Sequence, residues 1–404
     1  MKHKIRKKCL SCNNVFLNEI INLGDHSFAD RFIPKNKLKK KDPKYPLILD
    51  LCRKCNFIQS RVITNPQERY IDLDYSYTSA NSSYSRSHWE KLANDLDKKN
   101  YLKGKKIIEI GSNDGFLSLL LKKKGANILC IDASKFMINI SKKKKLNSIQ
   151  SIFSYKESQK IKNIFGKADL IIANNVFNHS DTPRNFLKGI HNLLVDNGMF
   201  IFEQPNFTIG TISLKFDQIY HEHISYFTAK NIKSILNNTN FKIHEMTKNE
   251  YHGGSLRTTT VKKNSSIVEN NPSKMIKYEE NKDIYKLSYY KKMMVKIINK
   301  KNRLLKNLEK LKNDNYTICG VGAGAKANTF LTFYGLNNSL IKFLTDSSKF
   351  KKNKFTPITR ILIKNDNEIR KFDKIACLIL SWNISSIIVK KIKKLNRKIK
   401  IIYT

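Results

Sequence analysis

Apolar and polar positions follow two rhythms along this chain, and the sharpest change between them lies at Lys105–Gly115. Ile107, Ile108 and Ile110 form a short apolar run that predicts a strand. A glycine-flanked loop follows, and the spacing of Phe116–Leu121 predicts a helix. A second apolar run, Ile128–Ile131, ends in Asp132 at the tip of the next expected strand. Ala168–Asn175 reads as a fourth strand and Gly198–Pro205 as a fifth. Between them Thr182–Leu194 has helical spacing, with Pro183 in its first turn. Such alternation predicts an α/β domain with a mainly parallel sheet, whose ligands lie at the carboxyl ends of its strands. Residues 269–315 are polar but carry helical spacing, as in Met293–Ile298 and Leu304–Leu308. Tyr316–Gly324 then repeats the strand and glycine-rich turn, with Asp346 ending Ile341–Thr345, and Ile375–Ser381 and Ile399–Tyr403 complete a second sheet. The expected domains are 1–70, 71–265 and 266–404.

The central turn carries a chemical preference. Gly111 and Gly115 let the backbone approach a ligand, the helix start offers free N–H groups, and Asp132 is placed to accept from ribose hydroxyls. Asn113 stands where a pyrophosphate-binding loop needs bare backbone, and Glu109 repels a diphosphate while favouring a cation. A phosphate-binding Rossmann turn and a purely structural turn are the alternatives. The arrangement resembles the first motif of class I methyltransferases, whose cofactor S-adenosylmethionine presents a sulfonium and an ammonium. Glu109, Gly111, Asn113, Gly115, Asp132 and Asn174 are the candidate cofactor-binding residues.

Two Cys-x-x-Cys pairs, Cys9 with Cys12 and Cys52 with Cys55, flank a stretch containing Pro34, Pro43 and Pro46. Four thiolates without histidine suit a closed structural zinc site, with iron as the other occupant and a redox-active pair as the rival. The segment has few other apolar anchors, so metal is expected to supply much of its folding free energy. Tyr70–Ser83 is polar and aromatic. It is either a surface linker or, through Tyr77, a cover over a pocket.

Phe216–Thr228 is the densest cluster of titratable groups. His221 and His223 are two apart and do not share a helix face. The segment is a metal pair in extended chain, a polar surface turn, or a general base with Glu222 sustaining its basicity and Tyr220 donating to an oxyanion. Asn174, Asn175, His179, Glu203 and Gln204 all fall at carboxyl ends of expected strands.

Taken in order, the two cysteine pairs, Glu109–Gly115, Tyr220-His-Glu-His223 followed by Tyr226 and Phe227, the His252–Arg257 stretch and the late glycine-rich turn resemble the sugar C-methyltransferases over nearly the whole chain. That resemblance implies a class I methyltransferase Rossmann-like domain flanked by a small N-terminal zinc-binding domain and a second, cofactor-free C-terminal Rossmann-like lobe. It implies methylation at C3 of a nucleotide-linked 4-keto-6-deoxy sugar. His223 would be the base, assisted by Tyr220 and Glu222, with Tyr77, Asn175 and His179 lining the sugar pocket. Lys326, at a helix start, would meet the diphosphate, and Arg257 is counted with it as substrate-binding.

Charge widens the field before it narrows. Lys and Arg number 76 against 33 Asp and Glu, giving +43 over 404 residues, which keeps an RNA methyltransferase in view. The lysines are spread along the chain, so a solvated basic surface that attracts an anionic substrate explains them equally well. The late glycine-rich turn keeps an NAD-dependent nucleotide-sugar oxidoreductase in view, and a non-catalytic zinc protein is the remaining class. No apolar run reaches the roughly eighteen residues of a membrane span, and the basic start lacks a signal peptide's apolar stretch. With seven cysteines, four of them in metal-like pairs, the expectation is a cytoplasmic protein without nucleic-acid or membrane partners. Oligomeric state stays open, with a monomer as the working expectation.

Overall fold

The strand–turn–helix pattern at the middle of the chain builds a seven-stranded sheet in the computed structural model, which describes residues 3–70, 78, 80 and 82–404. Its strands are β1 (Lys106–Ile110), β2 (Asn127–Asp132), β3 (Asn147–Gln150), β4 (Ala168–Asn174), β5 (Leu194–Pro205), β6 (Phe241–Asn249) and β7 (Ser255–Lys262). They lie in the order β6-β7-β5-β4-β1-β2-β3. β1 to β5 are parallel, whereas β7 runs antiparallel to both β5 and β6. Alternate residues serve opposite faces, as a strand's two-residue period requires. Ile107, Ile128 and Leu170 pack with Trp89, Leu92 and Leu121 of helices Ser83–Lys98 and Phe116–Lys123. Ile108, Leu129 and Ile171 pack with Phe186 and Ile190 of helix Pro183–Leu193. The connections leave in opposite directions from β1 and β4, so a crevice opens where Ile110, one residue beyond Glu109, and Asn174 end neighbouring strands.

The N-terminal segment is better anchored than its sequence suggested. Strands Leu17–His26, Tyr45–Cys52 and Ile58–Ser60 form an antiparallel sheet, completed by Ser225–Tyr226 from the methyltransferase-like domain. Leu47, Leu49 and Leu51 are buried in one cluster with Tyr290, Met293 and Ile297 of the long helix Leu287–Asn313. Each such side chain contributes about 1.5–3 kcal/mol by burial. The segment therefore has apolar anchors of its own beside any metal, where its sequence suggested few.

Beyond that helix a second sheet is wholly parallel: β8 (Thr317–Val321), β9 (Phe343–Thr345), β10 (Ile363–Lys364), β11 (Ile375–Ile379) and β12 (Lys400–Tyr403), in the order β10-β9-β8-β11-β12. Its Ile318, Leu344 and Leu378 belong to the same cluster as Leu47 and Leu49, so the first and last segments share a core. No helix among the described residues is long and apolar enough to cross a membrane.

Candidate active site

The turn after β1 is tight. The Ser112 carbonyl accepts from the Gly115 N–H at 2.9 Å, and Asn113 takes a left-handed conformation with φ 52°. Asp132 closes it: one carboxylate oxygen accepts from the Asn113 N–H and the other from the Ser134 N–H, both at 2.8 Å. Glu109 is buried and accepts from the Ser118 hydroxyl; burial pushes its carboxyl up to about 8. The glycines also have a task the sequence did not suggest: a Cβ on Gly111 would lie 1.9 Å from Val176, and one on Gly115 would lie 2.6 Å from Leu146, so each makes room for a neighbouring side chain. Gly115 does not line the cleft at all.

That cleft has a volume of about 310 Å³, with Glu109, Gly111, Asn113, Asp132, Asn174 and Asn175 in its wall. Both polar atoms of the Asn174 amide, and the Ser112 hydroxyl, are buried without a partner among the described residues. Orphaned donors and acceptors beside a buried acid are costly unless a polar ligand satisfies them. An aminoacyl–nucleoside with a positive charge fits that donor set. Asp132 offers its remaining lone pairs, Asn174 and Ser112 their unpaired atoms, and Glu109 its negative charge.

His223 stands next to this cleft. Chain 224–226 is pinned on both sides, the Ile224 N–H donating to the Asn178 carbonyl at 2.9 Å and the Ile224 carbonyl accepting from the Ser60 N–H at 2.8 Å. This brings the His223 ring to 5.1 Å, centroid to centroid, from His179, which lines the cleft and stacks on Tyr70 at 5.9 Å. Tyr220 packs on the other side at 4.0 Å. His223 Nδ1 lies 2.9 Å from the Gln218 carbonyl, which only an N–H can satisfy, so the lone pair of the neutral ring is at Nε2. Burial, together with His179, holds His223 well below the usual histidine range. His179 is likewise pushed down to about 3, by burial and then by Arg69, and its Nε2 has no partner among the described residues.

Other expected residues fall elsewhere. Glu222 does not touch the His223 ring; it accepts from the Asp30 N–H at 3.3 Å, and burial with Asp30 raises its carboxyl to about 7. The group that orients His223 is the Gln218 carbonyl. His221 points to the zinc-binding side, with Nε2 3.1 Å from the Tyr45 carbonyl and Phe28 and Tyr45 against its ring, so the two histidines do not form a metal pair. Arg257 is engaged by Glu203 at 2.7 Å rather than lining the cleft. Although burial pushes Glu203 up, His88 and Arg257 hold it at about 2. Lys326 donates to the His252 carbonyl at 2.9 Å, and burial lowers its ammonium to about 8. Its charge is felt at His223. Tyr77 lies outside the described residues. Three contributors went unread in the sequence: Tyr70, His88 and Gln218. Tyr70 ends a polar stretch and gave no signal beyond being aromatic. Arg69, just before it, joins Arg6 on Asp181, tying the N-terminal segment to the His179 turn.

The sulfurs of Cys9, Cys12, Cys52 and Cys55 all lie within 4.8 Å of one another. Each pair is followed by an asparagine in left-handed conformation, Asn13 at φ 60° and Asn56 at φ 58°, so two equivalent knuckles face each other. Repetition of Cys-x-x-Cys-Asn was the available signal. Four thiolates at this spacing would hold a zinc ion with all its ligands from the protein, a structural rather than catalytic donor set.

Comparisons with known proteins agree with this geometry. Residues 9–70 match a family model described as a zinc binding domain, 83–246 a methyltransferase domain, and 250–403 a C-methyltransferase C-terminal domain. The C-methyltransferase NovU of Streptomyces niveus is 21% identical over 384 residues, covering 95% of this chain and 91% of its own. The ribosomal protein L11 methyltransferase of Thermosipho melanesiensis is 33% identical over 131 residues, 29% of this chain and 48% of its own. Among solved structures, magnesium protoporphyrin IX methyltransferase from Synechocystis, with bound SAH, superposes with a TM-score of 0.36 at 18% identity, over 44% of this chain and 83% of that one. With the three family models in chain order and a relative matched almost end to end, the chain belongs to the S-adenosylmethionine-dependent C-methyltransferases that carry an N-terminal zinc-binding domain.

Proposed function

We propose that the protein methylates C3 of a nucleotide-linked 4-keto-6-deoxy sugar, with His223 removing the proton beside the ketone. The observation that carries this reading is the state of His223: buried, neutral, its Nδ1–H tied to the Gln218 carbonyl, and one ring away from the cofactor cleft. A carbon next to a ketone becomes nucleophilic only when its proton leaves, and a neutral imidazole with its lone pair at Nε2 is suited to take it. The electron pair moves into the carbonyl, and the oxygen that gains charge needs donors in a dry site. Tyr220 and the Nε2 edge of His179, which has no partner among the described residues, are the candidates. When bound, S-adenosylmethionine supplies an electrophilic methyl group on a sulfonium. Glu109 and Asn174, in the wall of the cleft, would hold that cofactor's polar end. His223 then returns its proton to solvent. Lys326 and the surplus of basic residues favour the nucleotide diphosphate.

A basic cleft of about 570 Å³ beside Cys12 and Cys55, with Lys54, Arg184, Lys230 and Lys233 in its wall, is the feature that favours RNA as the alternative substrate. It shares no residue with the cofactor cleft. Incubation with S-adenosylmethionine and a panel of nucleotide-linked 4-keto sugars, or with RNA, separates the readings. Mass analysis is expected to show one methyl gained on a keto sugar, with a hydrogen lost from the carbon beside its ketone. Methyl gain on RNA alone, or on a sugar oxygen, would contradict the proposal.

A further inference from the structure

The Gln218 carbonyl that fixes the His223 tautomer belongs to a short helical turn, Phe216–Gln218, which lies against Gly210 on one side and is gripped by the C-terminal lobe on another. Phe216 stacks on Phe330 and Tyr334 of helix Ala325–Tyr334. The carbonyl of Ile219 accepts from the Thr329 hydroxyl at 3.0 Å. Between them, the Asp217 carboxylate accepts from the Trp382 indole N–H at 2.7 Å, while its other oxygen has no partner among the described residues.

Trp382 is itself placed with care. It follows β11, and the residue before it, Ser381, presses into the glycine-rich turn so closely that a Cβ on Gly322 would lie 2.0 Å from its hydroxyl. The indole packs on Gly253, where a Cβ would lie 2.2 Å from the ring. Lys326 stands 4.6 Å and Lys215 5.0 Å from the ring centroid. Packing alone accounts for the ring but not for its N–H. A buried carboxylate costs free energy, and an apolar side chain at 217 would fill the space at lower cost. The Lys326 and Lys215 charges favour the carboxylate at 217 without orienting it, whereas the Trp382 N–H gives it a direction and with it the neighbouring peptide.

We infer that Trp382 is a positioning residue for His223, acting through Asp217 and the Gln218 carbonyl, and that the second glycine-rich turn serves to seat it. This rests on the reading of His223 as the base. The consequence is that the last lobe, which the cofactor cleft does not use, controls which nitrogen of the catalytic imidazole carries the proton.

Nitrogen NMR of the full-length protein labelled at histidine reports that tautomer directly. In the wild type the His223 signal is expected to show the proton on Nδ1. Trp382→Phe keeps a ring on Gly253 but removes the donor. It is expected to shift the proton partly to Nε2 and to lower turnover about 10- to 100-fold, the scale of a small misplacement of a catalytic group, with donor affinity unchanged. Asp217→Ala should behave alike, and the double variant should be no worse than the worse single, as for residues acting in series. Asp217→Asn, which keeps an oxygen for the indole, should disturb the tautomer less than Asp217→Ala. A wild-type His223 signal in Trp382→Phe, or additive losses in the double variant, overturns the inference. Wild-type turnover in His223→Ala would instead remove the base reading, and the tautomer spectrum would still decide the role of Trp382.

Discussion

Two residues apart in sequence, His221 and His223 face opposite ways. His221 is enclosed by Phe28 and Tyr45 on the zinc-binding side, whereas His223 sits beside His179 at the edge of the cofactor cleft. Both are held below the usual histidine range by burial, but it is His223 that packs against His179 in the wall of the cleft. Replacing it by alanine is expected to leave S-adenosylmethionine affinity nearly intact and to lower turnover by about two to four orders of magnitude, the range for a lost general base. Because its pKa is lowered, His223 stays unprotonated as pH falls through the ordinary histidine value of about 6.5. The acid limb of turnover should therefore lie below that pH; a limb centred at it would place the base elsewhere. Glu109 has the opposite shift. Its carboxyl, raised to about 8 by burial, is mostly protonated at neutral pH without ligand, and a bound cation draws the proton off. Affinity for S-adenosylmethionine should rise with pH up to about 8 and level off above it, as titration calorimetry in buffers of different ionisation heat would register. Glu109→Gln should abolish the rise and weaken binding about 10- to 100-fold, the worth of a hydrogen bond to a charged group.

At the scale of elements, the short strand Ser225–Tyr226 does more than its length suggests, because it leaves the His223 segment to join the zinc-binding sheet. Metal removal should therefore reach the active site. Chelation, or Cys52→Ser, is expected to expose the amides of both knuckles to hydrogen exchange and reduce turnover, while Leu47, Leu49 and Leu51 keep their protection through the core they share with helix Leu287–Asn313. Loss of protection throughout that sheet would make metal its main anchor. This coupling was not legible in the sequence. Local rhythm revealed β1, β2, β4 and β5, since each is a buried parallel strand with a near-continuous apolar run. The antiparallel pair β6 and β7 escaped notice because polar residues such as His244, Lys248, Arg257 and Thr259 interrupt it, and only the fold sets β7 beside β5. The same holds for Glu203: a strand-end acid looked like a site residue, and only the fold brings Arg257 to neutralise it and sets His88 Nε2 3.0 Å from its carboxylate. Glu222 failed for a related reason, since adjacency to His223 in sequence turned its side chain the other way.

At the scale of the molecule, two halves repeat one device. Asp346 accepts from the N–H groups of Ala323 and Ser348 at 2.8 Å each, as Asp132 does from Asn113 and Ser134. In the second copy, however, the Lys351 ammonium donates to the Ala323 carbonyl at 2.8 Å, and Ser381 fills the space at Gly322. S-adenosylmethionine should raise the melting temperature and NAD should leave it unchanged; stabilisation by NAD would reopen the oxidoreductase reading. The central claim is that His223 strips a proton from the carbon beside a ketone. It is tested most directly in heavy water with a nucleotide-linked 4-keto-6-deoxy sugar and the demethylated cofactor product, so that methyl transfer is blocked. Proton NMR should show the C3 hydrogen exchanging for deuterium with wild-type protein and not with His223→Ala. Equal exchange by the two proteins, or no exchange with wild type across substrates that it methylates, would contradict the account.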